Sequence, residues 1–182
     1  MDKSKLLEYL SAMDEALAEE TELVVYGSAA FILLDEDGRT SLDIDVAAPY
    51  SRVNYPDFCR AAALSGLPVN PPEDTSGDHI EWISSLRLCL RKPQSGDEIV
   101  LWRGKRLTVK TVSAVDLIAS KLIRYDPTDQ ADIQHIFKMT RPSFERVQSA
   151  VAALPEPFNT DPLVLENLEN FKADMRMWVE KS

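Results

Sequence analysis

The stretch Leu42-Asp43-Ile44-Asp45-Val46 alternates apolar and acidic residues without a break, and this pattern restricts the fold more tightly than any other in the chain. Successive side chains of a strand point to opposite faces, so Leu42, Ile44 and Val46 define one face and Asp43 and Asp45 the other. The segment therefore calls for a sheet with one covered face, and it sets two carboxylates side by side on the opposite face. Like charges this close repel unless a cation neutralises them, and hard divalent ions take oxygen ligands. Two readings follow, a solvated strand face or a metal site.

What precedes this strand bears on the choice. Leu23 to Tyr26 is a short apolar run, read as a buried strand that Gly27 ends. Ser28 can cap a helix through Ala29 to Leu34, closed by the turn Asp35 to Gly38, in which Asp35, Glu36 and Asp37 read as solvated acids. A Gly-Ser turn before a helix is either a cap with a tight bend or a phosphate cradle, because backbone N–H groups and the positive helix end accept an anion where no Cβ blocks approach. Neither G-x-G-x-x-G nor G-x-x-x-x-G-K-[ST] occurs.

The rest of the chain falls into two grammars. Leu6, Leu10, Met13 and Leu17 predict an amphipathic helix over 3–18, and Asn54-Tyr55-Pro56 opens another that Gly66 closes. From Ile80 to Leu90 a period of two puts Ile80, Trp82, Leu86, Leu88 and Leu90 on one face and Glu81 and Arg87 on the other. Ile99 to Trp102 and Arg106 to Val109 flank Arg103-Gly104-Lys105 as a hairpin. Beyond it the signals are helical: a Ser113/Asp116 capping box, then helix starts at Asp126-Pro127, Pro142-Ser143 and Asp161-Pro162. The layout predicts an α/β (α+β) core over 1–110, with a mixed sheet flanked by helices, and a helical C-terminal part over 111–182 packed on it.

Charge and composition exclude several function classes. Twenty basic and 30 acidic residues give a net charge of -10, which opposes nonspecific binding to nucleic acid. The segment from Arg87 to Lys110 is the exception, with Arg87, Arg91, Lys92, Arg103, Lys105, Arg106 and Lys110 against Asp97 and Glu98. It reads either as an acceptor surface or as solvated strand faces and a hairpin tip. Two cysteines and two histidines build neither a disulfide framework nor a zinc-ligand spacing, and Cys59 and Cys89 read as inert buried thiols. The N-terminus does not read as a secretory signal, and no run approaches the roughly 20 apolar residues of a membrane span, which implies a cytoplasmic protein without a membrane partner.

Gly27-Ser28 followed by Arg39-x-Ser41-x-Asp43-Ile44-Asp45 resembles the glycine-serine and D-x-D motifs of the DNA polymerase beta-like nucleotidyltransferase superfamily, especially the minimal bacterial type related to AbiEii toxins. Asp116-Leu117-Ile118-Ala119-Ser120-Lys121-Leu122, with Arg124 and the segment Asp129 to Ile133, resembles that subgroup's helical motif. The resemblance spans residues 23 to 136. It implies a nucleotidyltransferase fold and the transfer, with Mg²⁺ (or Mn²⁺), of a nucleoside monophosphate from an NTP to a hydroxyl of RNA, tRNA included, or of protein. By the same resemblance Gly27 and Ser28 hold the triphosphate, and Asp43 and Asp45 ligate the metal. Lys121 pairs with phosphate oxygens, Asp129 or Asp132 orients it, and Arg39 and Ser41 brace the start of the strand beside the nucleotide.

Many members of the superfamily add a third carboxylate from a later strand, and Glu81 is the in-phase candidate here; a rim residue beside Trp82 is its other reading. The resemblance also implies a toxin of a toxin-antitoxin or phage-defence pair, restrained by a cognate antitoxin. From another class comes a fold that has lost turnover and serves as a binding or regulatory module. Plainer readings stand beside the implied roles: Lys121 and Arg124 as exposed positions of an amphipathic helix, and Asp129 as a first-turn acid favoured by the helix dipole.

Overall fold

The structure, a computed structural model, describes residues 1–36, 38–72, 76–94 and 96–180, the last without its side chain. Asp37 of the predicted acidic turn lies outside the described residues. The chain divides into two units, Met1–Leu88 with Pro93–Val112, and Cys89–Lys92 with Ser113–Ser182.

The first unit is α+β. Asp2 accepts a hydrogen bond from the Lys5 N–H at 2.9 Å and starts α1 (Lys3–Ala16), which buries Leu6, Leu10 and Met13. There follow β1 (Thr21–Tyr26), α2 (Gly27–Leu33), β2 (Asp43–Ala47), α3 (Tyr55–Leu64), β3 (His79–Ile83), β4 (Ile99–Arg103) and β5 (Leu107–Thr111). The five strands form one mixed sheet in the order β3-β2-β1-β5-β4. β1 runs antiparallel to β2 and parallel to β5, β2 and β3 are parallel, and β4 and β5 make the predicted hairpin.

One face of this sheet carries the core. Leu23, Val25, Ile44, Val46, Ile80, Leu107 and Val109 pack with Leu6, Leu10, Phe58, Ala61 and Ala62 of the helices. Ile44, Val46 and Ile80 are at most 3% exposed, and each such side chain stabilises the fold by about 1.5–3 kcal/mol. Burial of this face fixes the register, because a slip by one residue would turn Asp43 and Asp45 into the core.

Three expectations need correction here. The strand expected over Ile80 to Leu90 ends at Ile83: a turn follows, closed by the Arg87 N–H on the Ser84 carbonyl at 3.0 Å, and Leu86 is 98% exposed. Ser84 and Ser85 break the alternation at that point, and serine favours turns by competing for backbone groups. Ser28 is not a cap either. It lies within α2, whose capping position is Tyr26 and has no side-chain cap bond. Both cysteines are half-buried rather than buried.

Asp14 ties α1 to the hairpin. Its carboxylate accepts from the N–H groups of Lys105, Arg106 and Leu107 at 2.9, 2.7 and 2.7 Å. Burial alone would raise its pKa, but these three donors outweigh burial and hold it below the ordinary aspartate value. The stabilisation is thus complete above that ordinary value, about 3.9, and is lost as pH falls through the lower folded value. Asp14→Asn is expected to cost about 1–3 kcal/mol in urea unfolding at pH 7, with the gap to wild type narrowing towards pH 3. A gap that does not change with pH would show that the charge is irrelevant.

The second unit is helical, with α4 (Ala114–Lys121), α5 (Pro127–Thr140), α6 (Phe144–Ala152) and α7 (Pro162–Glu180). Ser113 accepts from the Asp116 N–H at 3.3 Å and donates to the Asp116 carboxylate at 2.7 Å, while Asp126 accepts from the Thr128 and Asp129 N–H groups at 2.9 Å. Arg91 is ion-paired to the buried Asp116. α7 is tied in by the Asn167 side chain, which donates to the Leu122 carbonyl at 2.8 Å, and by Trp178 against Phe137 and Phe171. Among the described residues, no helix is long and apolar enough to cross a membrane.

Candidate functional site

The parallel register of β2 and β3 sets Asp43 opposite His79 and Asp45 opposite Glu81. Residues paired across strands share a face, so all four side chains stand on the side of the sheet away from the core. One ligand atom each from Asp43, His79 and Glu81 lies within 4.8 Å of the others, and all three residues are half-buried. Glu81, expected as a third acid, thus stands directly across from the D-x-D strand.

Local bonds orient these groups. The Ser41 hydroxyl donates to Asp43 Oδ1 at 2.7 Å. His79 Nδ1 is 3.1 Å from the Gly77 carbonyl. A carbonyl only accepts, so Nδ1 is the donor of that pair, and Nε2 faces Glu81 Oε1 at 3.9 Å. The Arg87 guanidinium approaches Glu81 Oε2 at 3.6 Å from an exposed position.

Asp45 faces a different neighbour. β1 and β2 pair Asp45 with Tyr26, which brings its carboxylate over the adjacent Gly27. A Cβ on Gly27 would lie 2.1 Å from Asp45 Oδ2, and the Gly27 φ of +62° is one that L side chains rarely adopt. The glycine is therefore the residue that lets the acidic strand close on the turn. Ser28, one step into α2, accepts from Arg39 Nη2 at 2.9 Å. Gly27, Ser28, Arg39, Ser41, Asp43, Asp45 and Glu81 form one neighbourhood of the first unit.

Lys121 and Asp129 belong to the second unit, where they are paired with each other. Lys121 Nζ is 2.8 Å from Asp129 Oδ1 and 2.7 Å from Asp132 Oδ2, with all three side chains at most 10% exposed. Arg124 also donates to Asp129, at 2.8 and 2.9 Å, from an exposed position. Lys121 is thus a buried residue in an ion cluster, not an exposed helix position.

The basic segment is partly collected on the same side of the sheet as the carboxylates. Register places Lys110 opposite Val24, Thr108 opposite Glu22, and Arg103 opposite Thr108, in phase with Tyr26 and Asp45. A cleft of about 310 Å³ is lined there by Glu22, Arg52, Arg103, Lys105, Arg106 and Lys110. Arg52 at 2.8 Å and Lys110 both pair with Glu22, and Lys110 above all holds that carboxyl below its ordinary range. From strand spacing and rise, Lys110 lies about 12 Å from Asp45 along the sheet.

His79 is the site residue that the sequence reading leaves out. Its signal was present: it is in phase with Glu81, two residues ahead of it on the same strand. What the sequence lacks is the register that sets it beside Asp43. No protein-family model matches the chain, and no curated protein or solved structure matches it either.

Proposed function

We propose that the protein transfers a nucleoside monophosphate from an NTP to a hydroxyl, with the divalent-ion site on β2 and β3. The observation that supports this most is the meeting of Asp43, His79 and Glu81 on adjacent strands, beside an Asp45 carboxylate that closes on Gly27. The donors suit a dication, since two carboxylates offset its charge and half-burial limits water around it. Asp43 and Glu81 would hold the ion, with Asp45 beside them; a bound ion would neutralise phosphate charge and favour the ionised form of an attacking hydroxyl.

The chain's own residues supply the rest. Gly27 admits the Asp45 carboxylate beside its backbone, and Ser28 offers its hydroxyl and N–H beside the Arg39 guanidinium, a set that suits triphosphate oxygens. Ser41 keeps the Asp43 carboxylate turned to one orientation. The basic cleft at Arg103, Lys105 and Arg106 suits the phosphates of an RNA acceptor, with Lys110 on the side nearer the carboxylates. On the resemblance, that acceptor would be RNA, tRNA included, or protein, and the context would be a toxin with its antitoxin.

The test is incubation of the protein with each labelled NTP, Mg²⁺ or Mn²⁺ and a cell extract. A macromolecule is expected to become labelled, and Asp43→Ala is expected to reduce the signal by about 10²-fold or more. Equal labelling by the variant would overturn the proposal.

One observation favours a second reading, that of a binding or regulatory module without turnover. The Lys121 ammonium, expected on phosphate, is held by two carboxylates. An NTP-dependent thermal shift with no labelled product would select this reading, because a ligand at about a hundred times its Kd stabilises by about 2.7 kcal/mol whether or not it reacts.

A further inference from the structure

All-oxygen and mixed sites select different ions. Mg²⁺ takes oxygen ligands in near-octahedral order and sheds water reluctantly, whereas an imidazole nitrogen suits Zn²⁺ and its transition-metal neighbours. We infer that Asp43, His79 and Glu81 form a mixed nitrogen–oxygen site that binds Zn²⁺ in preference to Mg²⁺, with His79 Nε2 as the selecting donor.

Three features carry this. The first is spacing. An ion 2.0–2.2 Å from each donor in tetrahedral order holds the donors about 3.4 Å apart. His79 Nε2 and Glu81 Oε1 are already at 3.9 Å, and every pair in the trio is within 4.8 Å, so small side-chain rotations close the site.

The second is the outer anchor of the histidine. A metal-binding imidazole donates its other N–H to a carbonyl or carboxylate, which fixes tautomer and ring orientation. His79 Nδ1 does this with the Gly77 carbonyl, a group outside the trio, and Nε2 is thereby the nitrogen that faces Glu81. The Ser41 hydroxyl holds Asp43 in the same way.

The third is charge and ligand count. Two carboxylates match one dication, and three protein donors leave a position open to water or substrate, as in catalytic rather than closed structural zinc sites. Arg87 competes for Glu81, but its side chain is 72% exposed and a solvated pair of this kind yields readily to a metal.

The inference stands on the donor set alone, so it and nucleotidyl transfer fail separately. Metal-free protein is titrated with Zn²⁺ and with Mg²⁺ by calorimetry, without nucleotide. One Zn²⁺ per chain is expected, bound at least about tenfold tighter than Mg²⁺. His79→Ala is expected to weaken Zn²⁺ by about 10–100-fold and leave Mg²⁺ unchanged, while His135→Ala changes neither. Zn²⁺ held no tighter than Mg²⁺, or held equally by wild type and His79→Ala, overturns the inference. If His79→Ala does not fold, the imidazole NMR signals of the wild type decide: Zn²⁺ must shift those of His79, and a spectrum in which only His135 responds overturns it.

Discussion

Replacing Lys121 by Met is expected to destabilise the protein by about 3–5 kcal/mol in urea unfolding, more than any other single change considered for its second unit. Lys121 is 9% exposed, and its ammonium sits between the carboxylates of Asp129 and Asp132, which are 1% and 0% exposed. A buried ion cluster contributes little net stability over an apolar one of the same volume, but removing one partner strands the others. Methionine keeps most of the lysine volume, so the loss reports charge and not a cavity. Arg124 still donates to Asp129 in the variant.

The double variant Lys121→Met with Asp132→Asn separates electrostatics from packing. Removing the Asp132 charge that Lys121 offsets is expected to restore part of the stability, so the two changes together cost less than their sum, with a coupling of about 0.5–3 kcal/mol. Additive losses would sink the cluster as the cause. A Lys121→Met protein within about 0.5 kcal/mol of wild type would return Lys121 to the phosphate-binding role that the resemblance implies, because surface-like positions behave that way.

The contrast between Lys121 and Asp45 shows what was legible in the sequence. Strand alternation placed Asp43 and Asp45 on the face away from the core, since the period of two is a local property of the backbone. Helix starts were legible for the same reason: Asn54, Ser113, Asp126 and Ser143 each accept a hydrogen bond from an N–H two or three residues on. The Arg103-Gly104-Lys105 hairpin is local too. Long-range pairings left no such mark. The β2–β3 register that sets His79 against Asp43 joins residues 36 apart, and Asp14 caps backbone N–H groups more than 90 residues away. The pairing of Lys121 with Asp129 and Asp132 was reached only through the resemblance, because the spacing of α4 alone reads equally as an exposed position and does not reveal the carboxylates that α5 brings to it.

Serine-rich turns were the local feature that misled. The apolar residues after Ile83 continue a period of two on paper, yet the strand ends where β2 ends, since β3 has no longer partner to pair with: Ala47 is opposite Ile83 and a short 3₁₀ turn, Ala48–Tyr50, follows. A strand persists only where a neighbour takes its N–H and C=O groups. Alternation without a partner gives a turn that leaves Leu86 in solvent.

Gly27→Ala is the second large effect, expected at about 2–4 kcal/mol in urea unfolding, and it tests how tightly the acidic strand and the turn are joined. Two terms contribute. A non-glycine residue at φ +62° costs about 1–3 kcal/mol, and a Cβ placed 2.1 Å from Asp45 Oδ2 and 3.1 Å from its Cγ forces that carboxylate aside. The side-chain end can turn, so the second term is held to the lower part of the usual overpacking range, about 1–3 kcal/mol. Adding Asp45→Ala removes the collision and leaves the backbone strain. The double variant is therefore expected to be more stable than Gly27→Ala alone, although Asp45→Ala also deletes a carboxylate of the proposed site. In the single variant, calorimetric Zn²⁺ binding by Asp43, His79 and Glu81 is expected to persist while nucleotidyl transfer falls, because only Asp45 has been displaced. If Gly27→Ala instead unfolds like wild type and labels its acceptor equally well, the approach of Asp45 to a bare backbone has no part in the site, and the glycine serves the turn alone.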